Sequence, residues 1–239
     1  MYIYNYITVY KKRKVCYHIF GDIFMTNNEM ILNLLRNEGI KDVGFSKVEH
    51  ELPYAVTVIV PLSKFVISKI TDKPTFEYFH HYRTVNAYID RVLLRCGLEI
   101  SGAGYKYICV GASQSTGGYT SYFSHKTAAR MSGLGYIGKN CLFISEKYGP
   151  AVRLGTILTD MPFETGSPVD KDCGDCKICK EKCPAMAIYG VNYHEGMKCE
   201  EMFDASACSN YMKKNFQHIG RGAVCGICIK NCPKSGFDK

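Results

Sequence analysis

The sequence predicts an α+β fold in two parts. An α/β-sandwich-like domain over residues 25–165 is followed, over residues 166–239, by a ferredoxin-like module built around two [4Fe–4S] clusters. The first observation is the cysteine pattern. Cys173, Cys176, Cys179 and Cys183-Pro184 form a complete C-x2-C-x2-C-x3-C-P run, and Cys225, Cys228 and Cys232-Pro233 repeat it without the first cysteine. The second is the order of elements before it. Strand-like runs cluster centrally, between helical stretches of unequal length, with no regular βαβ repeat.

Composition sets the outer limits. The 239 residues suit one or two domains, and 46% hydrophobic with 22% charged residues is ordinary for a globular chain. A net charge of +8 allows an anionic partner, nucleic acid included, without naming one. The longest apolar run, over residues 56–62, is far short of the ~20 residues a membrane helix needs, so no membrane partner is expected. At the N-terminus the basic cluster Lys11, Lys12, Arg13 and Lys14 follows the apolar residues, the reverse of a signal peptide. Thirteen cysteines, several in cluster-type spacing, point to a reducing, cytoplasmic setting.

Residues 1–24 are rich in Tyr and Ile, then basic, without a clear period. They read as an N-terminal extension, with Met25 as a natural start, or else as an N-terminal strand. Thr26 or Asn27 caps a helix whose apolar stripe is Met30, Ile31, Leu34 and Leu35, ended by Gly39. Strands are expected at residues 43–46 and 55–60. Asp72 and Pro74 open a long helix with a stripe through Tyr78, Tyr82, Val85, Ile89, Val92 and Leu93, and Gly97 is read as its end. His80 and His81 are adjacent and point to different faces, which is not ligand spacing. A buried strand at residues 107–111 leads into the polar loop A-S-Q-S-T-G-G over residues 112–118, a connection that can carry function. Ser124 caps a short helix through Met131. Strands follow at residues 141–145 and 152–158, and the turn-rich stretch at residues 166–170 marks the domain boundary.

Gly133, Gly135 and Gly138 match G-x-G-x-x-G, but a dinucleotide fingerprint follows a strand and opens a helix. Here the motif follows a helix and precedes a strand. The glycines are read as allowing a tight bend or a close backbone approach to something bulky.

Three thiolates on one tight loop reach three irons of one cubane, and the cysteine before the proline reaches the other cluster. Cluster one is therefore assigned to Cys173, Cys176, Cys179 and Cys232. Cluster two takes Cys183, Cys225, Cys228 and one upstream cysteine, Cys199 or Cys208. A zinc site built from the paired C-x2-C units is the alternative, but zinc has no use for the third cysteine or for C-P. A disulfide framework is not expected in a chain long enough to bury a core.

Together these segments resemble the epoxyqueuosine reductase family, iron–sulfur proteins that use cobalamin and are related to reductive dehalogenases. The resemblance is carried by K-T-A-A-R-M-S-G-L-G-Y-I-G-K-N (residues 126–140), G-P-A-V-R-L-G-T-I-L-T-D (149–160), the two cysteine runs, and D-A-S-A-C-S-N-Y (204–211). In that family a cysteine in a C-I-S-Y-like segment serves the second cluster, so the resemblance implies Cys208 over Cys199. It also implies a reductase domain that holds cobalamin. For that site the contact residues would be Ser113, Gly117, Gly118, Gly133, Gly135, Gly138, Lys139 and Asn140. Two departures stand out. The family's proton-donating Asp has no counterpart between Tyr119 and Met131, where His125 or Lys126 would take its place. The chain also ends soon after Cys232, whereas the family adds a C-terminal helical-repeat domain linked to tRNA. The expected partners are a low-potential donor of ferredoxin or flavodoxin type and a small-molecule or modified-nucleoside substrate, with tRNA as the family's macromolecular one. The rival reading is a non-catalytic electron carrier that docks to a redox partner.

Overall fold

The computed structural model describes residues 10–12, 15–20, 23–222 and 224–236. At its start β1 (Tyr10–Lys12), β2 (Val15–Phe20) and β3 (Ile23–Thr26) pair antiparallel as a sheet of their own. The expected boundary after residue 24 thus falls inside β3; residues 1–9, 13–14 and 21–22 of the expected extension lie outside the described residues. Thr26 then closes a capping box with Glu29 and starts α1 (Asn27–Asn37), which buries Ile31 and Leu35.

β4 (Asp42–Lys47), β5 (Tyr54–Pro61), β6 (Tyr107–Val110) and the later strand at residues 152–159 form the central sheet. Between β5 and β6 run α2 (Lys64–Ser68) and α3 (Phe76–Gly102), and after β6 come α4 (His125–Met131), β7 (Gly135–Ile137), β8 (Phe143–Ser145) and β9 (Val152–Thr159). The sheet order is β4-β5-β9-β6 and every pairing is antiparallel, an arrangement unlike a parallel dinucleotide-binding sheet.

Period-two alternation sorts the strands into two faces. Val56 and Val58 of β5 and Ile157 of β9 join α1 and α3 in the main core. Ala55, Ile59, Leu154 and Leu158 face the other way, toward Ala128 and Ala129 of α4. The result is helices on both faces of an antiparallel sheet.

Three expectations differ from the structure. Gly97 does not end α3, which runs on to Gly102; a Cβ at Gly97 would strike the Tyr107 ring, so the glycine makes room for a strand. The strand at residues 107–110 is only half-buried, because it is an edge strand. The strand expected from residue 141 starts at Phe143, since Cys141 takes a left-handed turn conformation (φ 55°).

From residue 166 the chain is mostly irregular. α5 (Ile178–Glu181) and α7 (Ile227–Lys230) are short helices that follow the two cysteine turns and touch each other, and α6 (Ala205–Phe216), capped by Asp204, lies between them in sequence. No helix among the described residues is long and apolar enough to cross a membrane.

Candidate functional site

β5 pairs with β9 along its whole length, back to Val152, but β6 stops at Val110, opposite Thr156. The first half of β9 therefore keeps one free edge. A cavity of about 330 Å³ opens there, lined among others by Tyr78, Tyr82, Ser113, His125, Lys126 and Arg153. Tyr82 and Ser113 also line a more open groove of about 830 Å³ beside α3.

Arg153 is one of two cations in the cavity wall, with Lys126. Its guanidinium lies over the Tyr82 ring at 4.3 Å. It donates to Asn86 Oδ1 (2.8 Å), the Ala112 carbonyl (2.7 Å) and the Tyr82 hydroxyl (3.2 Å). All three partners are neutral, so the positive charge stays available to an anionic group. Sequence reasoning missed this cluster, whose members come from α3, β9 and the loop after β6.

His125 and Lys126 sit side by side at the start of α4 with different surroundings. His125 Nε2 donates to the Gly111 carbonyl (2.9 Å), and Nδ1 accepts from Thr156 (2.8 Å), whose hydroxyl lies 3.3 Å from that of Thr57. Burial pushes the imidazole below its usual range, against the Gly111 contact. A neutral ring with both nitrogens engaged is a positioning group. Lys126 Nζ donates to the Cys141 carbonyl (2.7 Å) and lies 3.2 Å from Cys141 Sγ and 3.8 Å from Cys199 Sγ. Burial alone pulls this amine down to about 8, within reach of neutral pH. Cys141 and Cys199 are joined as a disulfide. This single pair lies outside the two cysteine runs, where no disulfide framework was expected, and it takes Cys199 out of the pool of free thiols.

The remaining cysteines of the two runs, with Cys208, are free thiols and fall into two neighbourhoods. Burial, then Cys173, Cys232 and Cys176, push Cys179 up to about 11. Those four, with Lys139, Asn140 and Pro233, wall one narrow pocket. Burial, then Cys225 and Cys183, push Cys208 up to about 11 as well. Cys228 is raised by burial and by Cys225, Cys208 and Cys183, with Cys179 the next neighbour. Thiols crowded in this way resist ionisation until a cation joins them. Among the described residues no three such side chains converge tightly enough to hold a single ion. A cubane differs in giving each thiolate its own iron.

The predicted cofactor contacts divide. Ser113 lines the cavity. Gly117 and Gly118 are exposed in the loop beyond it. Gly133, Gly135 and Gly138 are placed elsewhere, because a Cβ on each would meet Ser167, Ile144 or Phe143: they let β7 and β8 close as a hairpin against the linker. Lys139 donates to the Gly174 carbonyl and, with Asn140, faces the first group of cysteines.

No family model matches the chain. Curated relatives do. Its homologues carry the name epoxyqueuosine reductase. The one from Staphylococcus aureus is 33% identical over 118 residues, 48% of this chain and 30% of that protein. One from Listeria monocytogenes is 38% identical over 116 residues, with the same coverage. The chain thus spans about a third of the length of the relatives it matches. Among solved structures, one described as a reductive dehalogenase with a mechanism for B12-dependent dehalogenation superposes over 87% of this chain and 31% of its own, with a TM-score of 0.71 at 19% identity. That likeness shows the fold.

Proposed function

We propose that the chain is an iron–sulfur reductase of the epoxyqueuosine reductase type, with its chemistry in the cavity at the free edge of β9. One observation carries the reading. Cys173, Cys176, Cys179 and Cys232 form one neighbourhood and Cys183, Cys208, Cys225 and Cys228 the other. The second adjoins the cavity through Tyr78, which feels both Cys228 and Cys225 and lines the cavity wall.

Each group has four thiols, the complement of one [4Fe–4S] cluster, and such clusters supply single electrons at low potential. Cobalamin, the cofactor of the B12-dependent fold neighbour, would add a strongly reducing cobalt centre when bound. The inner cavity alone is too small to enclose a corrin. The cavity and the groove share Tyr82 and Ser113, so a large planar group fits across the two. Ser113, Tyr82 and Gln114 would hold its edge.

The chain's own residues do the rest. Arg153 binds an anionic group of substrate or cofactor. Tyr78 and Ile229 close the inner wall against water on the cysteine side. Lys126, poised near neutral pH, supplies the proton that a reduction consumes at its Nζ, and His125 fixes the start of α4 beside it. The relatives' name points to a modified nucleoside as the substrate class. Exposed Met186, Tyr189 and Val191, beside Cys183, offer a face for the electron donor.

The test is iron, sulfide and zinc analysis of anaerobically purified protein, followed by a cobalamin titration read in the visible spectrum. About eight irons per chain and a spectral change at micromolar cobalamin are expected. Stoichiometric zinc overturns the cluster reading. Intact clusters with no cobalamin binding leave the electron-carrier reading in its place.

A further inference from the structure

We propose that Cys141, Cys199 and Lys126 form a thiol–disulfide exchange site, reduced by an external dithiol, whose redox state sets the charge partner of Lys126 at the cavity wall. The proposal stands on four observations and does not depend on clusters or cobalamin.

The first is selectivity. Among the described residues ten cysteines are free thiols, Cys96 and neighbouring Cys109 among them, and Cys141 and Cys199 alone are joined. A chain stapled for stability pairs its cysteines generally; this one pairs two. The second is asymmetry of access. Cys141 is buried (5% exposed), and Cys199 is exposed at a short helical turn. An incoming thiolate therefore meets Cys199 first, and Cys141 is the leaving group.

The third is Lys126. Its Nζ is 3.2 Å from the sulfur that leaves, and no carboxylate pairs with it among the described ion pairs. A buried ammonium without an anion is costly. A thiolate on Cys141 is the anion the site lacks, so Lys126 favours the product of exchange. The fourth is position. The disulfide ties the turn after β7 to residue 199, in the cysteine-rich half of the chain, and Lys126 lines the cavity.

The chemistry balances. A thiolate of the dithiol attacks Cys199 Sγ and forms a mixed disulfide. The Cys141–Cys199 bond breaks, and its electron pair goes to Cys141 Sγ beside Lys126. The second thiolate of the reductant then attacks its own sulfur in the mixed disulfide and releases Cys199. The dithiol is oxidised by two electrons and the pair is reduced by two. Of the two protons given up, one goes to Cys199. The other goes to Lys126 where that amine was neutral, and otherwise to solvent.

The experiment uses the full chain under anaerobic conditions, equilibrated in dithiothreitol redox buffers, acid-quenched, alkylated and read by mass spectrometry at each cysteine. Cys141 and Cys199 should convert together, from linked to alkylated, in a single two-electron transition while the protein stays folded by circular dichroism. Glutathione, a monothiol that cannot resolve its own adduct, should leave its mixed disulfide on Cys199 when it replaces the dithiol. In Lys126→Met the reduction should slow by about tenfold and the alkylation of reduced Cys141 should shift to higher pH, with Lys126→Arg restoring both. A link that opens only when the chain unfolds overturns the proposal, as does independent alkylation of the two thiols in every buffer. An unchanged Cys141 pH profile in a folded Lys126→Met protein removes Lys126 from the site.

Discussion

Residues 27–165 and residues 166–236 hold their shapes by different means. In the first, Ile31, Leu35, Ile89, Leu93, Ile100, Ile157 and Met161 are all but fully buried around one sheet. Each fully buried side chain of that kind contributes about 1.5–3 kcal/mol. Between residues 166 and 200 the only buried side chains are Ala187 and Ile188; Cys173, Cys176, Cys179 and Cys183 are half-buried and Cys199 is exposed. A stretch with so little apolar burial does not offset the entropy of its own ordering. On the proposed reading, the clusters its thiols would bind supply the missing order, beside the Cys141–Cys199 link. The two regions meet at a seam: Val224, Ile227 and Ile229 belong to the main core although they sit in the cysteine-rich half.

The largest expected effect follows from that difference. Metal-coupled folding of small domains is worth on the order of 10 kcal/mol. Stripping iron with a chelator should abolish amide protection over residues 171–200 while β5, β9 and α3 keep theirs. Residues 224–230, anchored by Ile227 and Ile229, should fall between. Hydrogen exchange by mass spectrometry reads all three. Loss of protection in β5 and β9 at the same time would make the two regions one cooperative unit and break the comparison.

Next in size is the contrast between Cys208 and Cys199. Cys208→Ala should lower iron from about eight to about four per chain or convert one cluster, seen in the EPR of the reduced protein. Cys199→Ala should keep both clusters, because its sulfur belongs with Cys141. The opposite pattern would exchange the two assignments.

How much of this was legible in the sequence depends on how local the cause is. The cysteine turns, the Thr26 and Ser124 caps and the β-branched strands β5 and β9 are written in consecutive residues, and the structure shows those elements where spacing put them. The Arg153 cluster joins residues from three segments up to 71 apart, and the disulfide spans 58; neither leaves a local pattern. Gly133, Gly135 and Gly138 were legible as a close approach of backbone, but not as an approach to β8 and the linker. His125 and Lys126 stood out as a pair, and only their surroundings separate a neutral positioning imidazole from an amine near its titration point.

A smaller effect tests the border of the two regions at Lys126. Its folded pKa, about 8, lies below the usual 10.5, so the unfolded chain binds this proton more tightly. Below pH 8 both states are protonated and the buried ammonium costs the fold about 3 kcal/mol. As pH rises from 8 toward 10.5 the unfolded state still holds the proton and the folded state does not, so the cost fades. In oxidised protein Lys126→Met should therefore raise Tm most at pH 7, with the gain shrinking toward pH 10. A gain that does not change with pH would reflect packing alone.

The smallest expected effect probes the well-packed region through two glycines of one helix. Glycine in a helix interior costs about 1 kcal/mol relative to alanine, so Gly→Ala ordinarily stabilises. At Gly102, in the last turn of α3, an added Cβ meets nothing within 4 Å, and Gly102→Ala should gain up to about 1 kcal/mol. At Gly97 the same methyl would drive into the Tyr107 ring, which lies on the edge strand β6. Overpacking costs about 1–3 kcal/mol, enough to exceed the propensity gain, so Gly97→Ala should lower Tm. The damage should pass to β6, whose C-terminal end bounds the cavity, and weaken ligand binding there. The sign difference between two identical substitutions five residues apart is the measurement. If both stabilise, Tyr107 moves aside at little cost, and the edge of the sheet is softer than the core it closes.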